Sequence, residues 1–415
     1  ENGYTVGRDA GRLLVSAPTA VLEGQVDTAV FNGSRQVRAP GSNSDGYTQS
    51  QTAVARGAQL WLGRFDGSGR NAVFDSQVRI GKPAAAAGSW SLQGALDESR
   101  RNTVWLDADQ LSAQQWGRLD LATSRSITLD NALSLADGGQ LNLVAGRVDI
   151  NGSVRIASGT LTASNLLADA TGRMQVVQAN GRGVITLGAE AAVDLDGRWA
   201  NQRLDEAAGS ARPWIHGGRV QIESSHDVII AAGSRIHVDG GGSVDLNGKV
   251  TGGKGGDIAL LADSSQVSTD GSGRLALAGQ LSGLGSSGAG TLQLATGGHV
   301  LLADSAGGEG SLWLSPTLLR SGFSRYDLNG HAGLDVAAAT RLDVLAPSLR
   351  VREGAAGAAS ADEGLQAWTA PLYEARPATG EVTQRRGASV LLRSQRNTTG
   401  GDVRIGEGAV VQVDS

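Results

Sequence analysis

Two pairs of aspartates stand at the spacing of neighbours on one face of a strand. They are Asp107 with Asp109, and Asp194 with Asp196, which flank Leu195. Residues two apart on a strand lie about 6.5–7 Å apart at the backbone, compatible with the carboxylate separations that glycosidases use. Aspartate is also what a solvated strand face ordinarily presents, and no second-strand partner is visible nearby in the sequence. The expectation is a solvated face without catalysis. Gly252-Gly253-Lys254-Gly255-Gly256-Asp257 imitates the repeat of calcium-binding β-rolls. A single copy cannot assemble the six to eight oxygens that calcium takes, so a tight glycine corner before Ile258 is expected instead. The same run lacks the Gly-Lys-Ser/Thr of a phosphate loop and opens no helix. The five histidines, at 216, 226, 237, 299 and 331, show no pairing at two or four residues. They read as surface or turn residues, with no metal and no cofactor expected.

Aromatic and basic residues give the remaining chemistry. Trp199, Arg203, Arg212 and Trp214 fall in one irregular stretch, 197–218, and Trp368 and Tyr373 fall in another, 352–388. Tryptophan stacks on sugar rings and arginine bonds hydroxyl or acidic groups, and these two types often dominate binding energy. The expectation is that the rings pack their loops onto the body of the protein. If the chain binds a ligand, these six residues are the candidates, and a glycan is the expected ligand.

The elements that hold these residues follow from composition and repeat. The chain has 415 residues, of which 61 are Gly, 1 is Met and none is Cys. Absence of cysteine excludes disulfides, zinc ribbons, iron–sulfur clusters and thiol nucleophiles. A net charge of −5 excludes general binding to nucleic-acid phosphates. Hydrophobic content of 40% excludes wholesale disorder. No apolar run approaches the length of a membrane helix, so no membrane insertion is expected.

From residue 119 the chain falls into apolar–x–apolar triplets separated by short polar or glycine turns. Leu119-Asp-Leu121, Ile127-Thr-Leu129, Leu133-Ser-Leu135, Leu141-Asn-Leu143, Val148-Asp-Ile150 and Val154-Arg-Ile156 lead to Leu161. Every third triplet recurs: 119 with 141, 127 with 148, 133 with 154, 141 with 161. Alternation within a triplet means a strand with one buried face. Strands this short, three to a repeat, suit a parallel β-helix, each rung pairing with the next. The pattern returns at Val220, Val228, Ile236 and Val244, at Ile258, Leu275, Leu292 and Val300, at Leu334, Leu342 and Leu349, and at Val403 and Val410. At ~4.8 Å per rung, about 12 to 17 rungs would give a rod of roughly 60–80 Å. Insertions are expected near 32–58, 197–218 and 352–388, and a helical turn at Leu111 to Trp116. The fold expected is all-β, a right-handed parallel β-helix with extruded loops, one continuous segment over 1–415.

The run from Asp107 to Asn165 resembles the filamentous haemagglutinin family of large exoproteins. It contains LDLATSRSITLDNALSLADGGQLNLVAGRVDINGSVRIASGTLTASN. Gly197–Leu261 is similar again, with HGGRVQIES and AAGSRIHVDGGG, and so is Ser321–Arg341. The resemblance implies a β-helical stalk secreted by a Gram-negative bacterium through an outer-membrane two-partner secretion transporter. It implies a secreted or cell-surface adhesin that meets a glycan or host-cell receptor. The chain starts at Glu1 without a signal-peptide pattern and stops in a strand-like run, so an internal piece of a longer exoprotein is expected. A carbohydrate-active β-helix enzyme and a plain spacer stalk are the alternatives. An enzyme would need carboxylates converging from adjacent rungs.

Overall fold

The computed structural model describes residues 3–413 apart from 42–49, 67–68, 83–92, 178–181, 308–309, 377 and 385–386. The triplets fold as strands of a parallel β-helix. Its first face is a ten-stranded parallel sheet running from Arg12–Val15 through Gln59–Leu62, Arg118–Ala122, Gln140–Val144 and Thr160–Ser164 to Ser389–Arg393. A second face has eight strands, continued by a four-stranded sheet. The third has five: Leu133–Ser134, Val154–Arg155, Ala192–Asp194, Arg235–His237 and Gln280–Ser282. The register is the one read from the repeat. Leu119 pairs with Leu141 and Leu141 with Leu161, Ile127 with Val148, and Leu133 with Val154.

Because side chains alternate across a strand, this register stacks apolar residues into columns inside the helix. Leu60, Leu119, Leu141, Leu161, Val220, Ile258, Leu292 and Tyr326 form one column, and all are buried. Leu62, Leu121, Leu143, Ala163, Ile222, Leu260, Leu294 and Leu328 form the next. Glycine supplies the tight corners. A Cβ on Gly256 would lie 1.8 Å from the Gly218 carbonyl oxygen, so the rung before Ile258 closes only with glycine there.

Three expectations change. Among the described residues the second face with its continuation reaches 12 strands (8 and 4), the low end of the expected count. The first face has ten, and its nine spacings at ~4.8 Å give about 43 Å, shorter than the rod expected. Residues are diverted into hairpins between rungs, so some turns consume far more chain than the 119–161 repeat suggests. Val244-Asp-Leu246 and Leu349-Arg-Val351 are not rung strands. Gly242–Val244 turns back on Val250–Gly252, and Ser348–Val351 pairs antiparallel with Leu365–Trp368. Leu246 and Val351 are accordingly exposed. The stretch 352–388 holds strands Leu365–Trp368, Tyr373–Arg376 and Glu381–Gln384 as well as loops. Between 32 and 58 the described residues form an isolated bridge, Arg38 to Ala53, and otherwise no strand, as expected; 42–49 lie outside them. The expected helical turn is the helix Ala108–Gln114. Asp107 caps it, and it covers the edge of the third sheet, where Ser112 Oγ accepts the Ser134 N–H. Among the described residues no helix is long and apolar enough to cross a membrane.

Candidate functional site

At Gly197 the chain leaves the third face. A Cβ there would sit 2.1 Å from the Ile215 carbonyl oxygen, so only glycine lets the excursion's two ends meet. Trp199–Asn201 is a strand pairing parallel with Gly242–Val244 outside the rungs. A 3₁₀ run, Glu206–Trp214, follows, with Asp205 Oδ1 accepting the Ala207 N–H at 2.9 Å. Ile215 returns to the buried interior.

The two tryptophans of this excursion have different jobs. The half-buried Trp199 ring lies against Gly364, where an added Cβ would be 2.2 Å from it. Its indole N–H donates to the Ala358 carbonyl at 3.0 Å, and Asn201 Nδ2 donates to the same carbonyl at 2.8 Å. Trp199 thus docks the 355–364 segment onto the 197–218 excursion, joining two insertions that are far apart in sequence. Trp214 lies over Gly138, whose φ of +70° and missing Cβ leave room for the ring. Trp214 packs its loop onto the body, as expected, whereas Trp199 packs one insertion against another.

Trp214 also lines a groove of about 1180 Å³. One wall is the 199–214 excursion. The other comes from 28–32, 39–40 and 54–56. Gln59, Arg118 and Gln140 lie on its floor, together with Gly117 and Gly139. Arg198 Nε stands 3.2 Å from Asp137 Oδ2 inside it. Burial pushes the Asp137 carboxyl above its ordinary range, against the pull of Arg198 and Arg155.

Of the six candidates, Trp199 and Trp214 line the groove, whereas Arg203, Arg212, Trp368 and Tyr373 do not. Arg203 is exposed, and Arg212 reaches toward Gln202 Oε1 at 3.5 Å. Arg350 stacks over the Trp368 ring at 5.1 Å, and Tyr373 is exposed on a separate hairpin. Sequence reasoning missed Arg198, Asp137 and the floor residues. A signal for the floor existed, since Arg118 and Gln140 stand one place before the apolar positions of successive repeats.

The aspartate pairs separate. Asp107 caps a helix, and Asp109 is exposed, 3.7 Å from Lys82. Asp194 and Asp196 do gain second-strand partners. Asp194 pairs with His237, and Gly197 N–H bonds the Asp239 carbonyl, which stacks Asp196 beside Asp239. Asp196, His237 and Asp239 each offer a ligand atom, all within 4.8 Å of one another. One oxygen of each carboxylate serves the backbone. Asp196 Oδ1 accepts the Asp239 N–H at 2.6 Å, and Asp239 Oδ1 accepts from Ser282 Oγ and the Leu284 N–H, both at 2.6 Å. Burial, with the charges of Asp239 and Asp194, pushes Asp196 up to about 8. Burial also raises Asp239, opposed by its bonds to Ser282 and Leu284. A proton or a small cation can neutralise this pair. Its oxygens lie closer than the about 5–5.5 Å of retaining glycosidases.

A second corner is built in the opposite sense. His331 stands in a turn, as expected, but its side chain is buried, with Nδ1 2.8 Å from Asp263 Oδ2, and Arg396 Nε lies 3.2 Å from the same oxygen. Burial opposes the Asp263 charge, but bonds from His331 and Thr269 and the Arg396 charge hold the carboxyl below its ordinary range. This cluster clamps three stacked turns. At the calcium-like motif, Asp257 Oδ1 accepts the Thr291 N–H at 2.8 Å, tying one rung to the next.

The fold and its excursion define a parallel β-helix with a groove beside an extruded segment. Comparison with family models, with curated proteins and with solved structures found no match.

Proposed function

We propose that the chain is a structural and adhesive segment of a secreted or cell-surface exoprotein similar to the filamentous haemagglutinins. The parent would pass through an outer-membrane two-partner secretion transporter. This segment would contribute a binding surface for a glycan or host-cell receptor. The observation that carries the reading is the groove at the 197–214 excursion. A stiff stack of rungs holds it, and its two walls give the concavity that plain rung faces lack. A glycan array and a cell-adhesion assay on the purified chain test the proposal. Saturable binding is expected; no binding to either would leave a spacer stalk.

The convergence of Asp196, Asp239 and His237 from adjacent rungs favours a second reading, a carbohydrate-active enzyme. Against it, one oxygen of each carboxylate is occupied by backbone N–H groups. Release of reducing ends from polysaccharides, abolished by Asp196→Asn, would establish that reading; no release is expected.

A further inference from the structure

The chemistry of the groove bears on which ligand it takes. Its arginines are already engaged. Arg118 bonds Asp120 at 2.5 Å and lies 4.6 Å over the Trp61 ring. Arg198 pairs with Asp137, and Arg56 donates to the Gly41 carbonyl. A sulfated or carboxylated ligand would have to compete with these internal partners. The Gln140 amide and the Trp214 indole N–H, by contrast, have no hydrogen-bond partner among the described residues. Gln59, Arg118 and Gln140 occupy the same register position on consecutive strands. Their spacing of ~4.8 Å is close to the length of one extended pyranose unit. The two neutral amides, Gln59 and Gln140, stand two strands apart (~9.6 Å, about two such units) with Arg118 between them. Gln59, whose Oε1 accepts the Trp61 indole N–H at 3.1 Å, keeps its amide N–H groups for a ligand. Amides suit hydroxyls rather than anions, and the Trp214 ring offers an apolar face for a sugar.

We infer that the groove takes an extended neutral oligosaccharide lying along the rod axis. Gln59 and Gln140 bond its hydroxyls, and Trp214 packs against one of its rings. The inference rests on the glycan-binding reading above.

The test is isothermal titration of the whole chain with neutral gluco-oligosaccharides of increasing length, and with a heparin-derived hexasaccharide, at low and high salt. Neutral chains should bind more tightly as they lengthen and be insensitive to salt, since screening acts on charges. Gln140→Ala should weaken binding about tenfold, the worth of one hydrogen bond to a buried sugar. Gln140 is exposed, so the variant's melting temperature should not change. Trp214→Ala should weaken binding further, with a melting curve run alongside because the ring also packs on Gly138. Preference for the heparin fragment with salt-weakened affinity would overturn the inference. Neutral binding untouched by Gln140→Ala would do the same while leaving a glycan-binding protein. Absence of all binding, on this titration and on the glycan array, would overturn the underlying reading as well.

Discussion

Residues 118–164 and the 197–218 excursion are built from the same kinds of residue and reach opposite ends. In the first, three successive strands repeat Leu119, Leu141 and Leu161 in strict register, and every inward side chain is buried. In the second, a strand leaves the rung and its tryptophan turns to a segment more than 150 residues away. The difference lies in where burial comes from. Rung residues bury against the next rung whatever its details, so the repeat is sufficient. The excursion has no such neighbour and must find one, which it does through Trp199, Asn201 and the 355–364 segment. Regularity builds the rod, and the departure from it builds the concave surface.

The largest effect expected is from Leu143→Asp. The side chain is wholly buried between Leu121 and Ala163, so a carboxylate there has no partner. Destabilisation above about 4 kcal/mol is expected, measured by denaturant unfolding. A variant as stable as the parent would break the contrast between rung and excursion at its base.

Next is Trp199→Ala. It removes a half-buried ring and the Ala358 bond, and about 2–3 kcal/mol of local stability should go with them. Limited proteolysis should then cut first within 355–364, while 118–164 stays resistant. Cleavage spread evenly along the chain would mean that the excursion is not a separate unit.

The pH dependence of Asp196 is smaller and has a definite sign. Its folded pKa, about 8, lies above the ordinary value of 3.8, so the folded protein holds a proton that the unfolded chain releases. Stability contributed by this group is present below pH 4 and is lost as pH rises toward 8. Melting temperature should fall across that window. Asp196→Asn, which keeps the acceptor for the Asp239 N–H, should flatten the fall. An unchanged pH profile in the variant would contradict the stacked-carboxylate account.

Smallest of all is Asp149→Asn. Asp149 lies on the outward position of its strand, bonded to Arg147 at 2.6 Å, and an exposed ion pair of this kind contributes within about 1 kcal/mol. Its melting temperature should stay near that of the parent. A loss as large as that from Leu143→Asp would mean that the faces are exchanged.

The repeat made the rung register readable because alternation at two-residue spacing directly encodes which face is buried. Leu119, Leu141 and Leu161 needed nothing beyond sequence. The hairpins were not readable, because Val244-Asp-Leu246 carries the same alternation as a rung strand and differs only in lacking a rung to pair with. The Asp196–Asp239 pair was half visible. Asp194 and Asp196 stood out, but their partner lies 43 residues on (196 to 239), a distance set by the length of the intervening excursion. Trp199 and Trp214 were picked out by type. Gln59 and Gln140 were not, since a polar residue at the start of a strand is commonplace until a wall rises beside it.

Hydrogen–deuterium exchange of the whole chain, with and without a neutral hexasaccharide, tests most directly whether the groove walled by the excursion, rather than the plain rung faces, takes the sugar. Rung amides in 118–164 should exchange slowly in both states. The sugar should add protection at 198–214 and around 54–59, the two sides of the groove. Added protection confined to the plain rungs of 258–330, or to the hairpins of 365–384, would contradict the account.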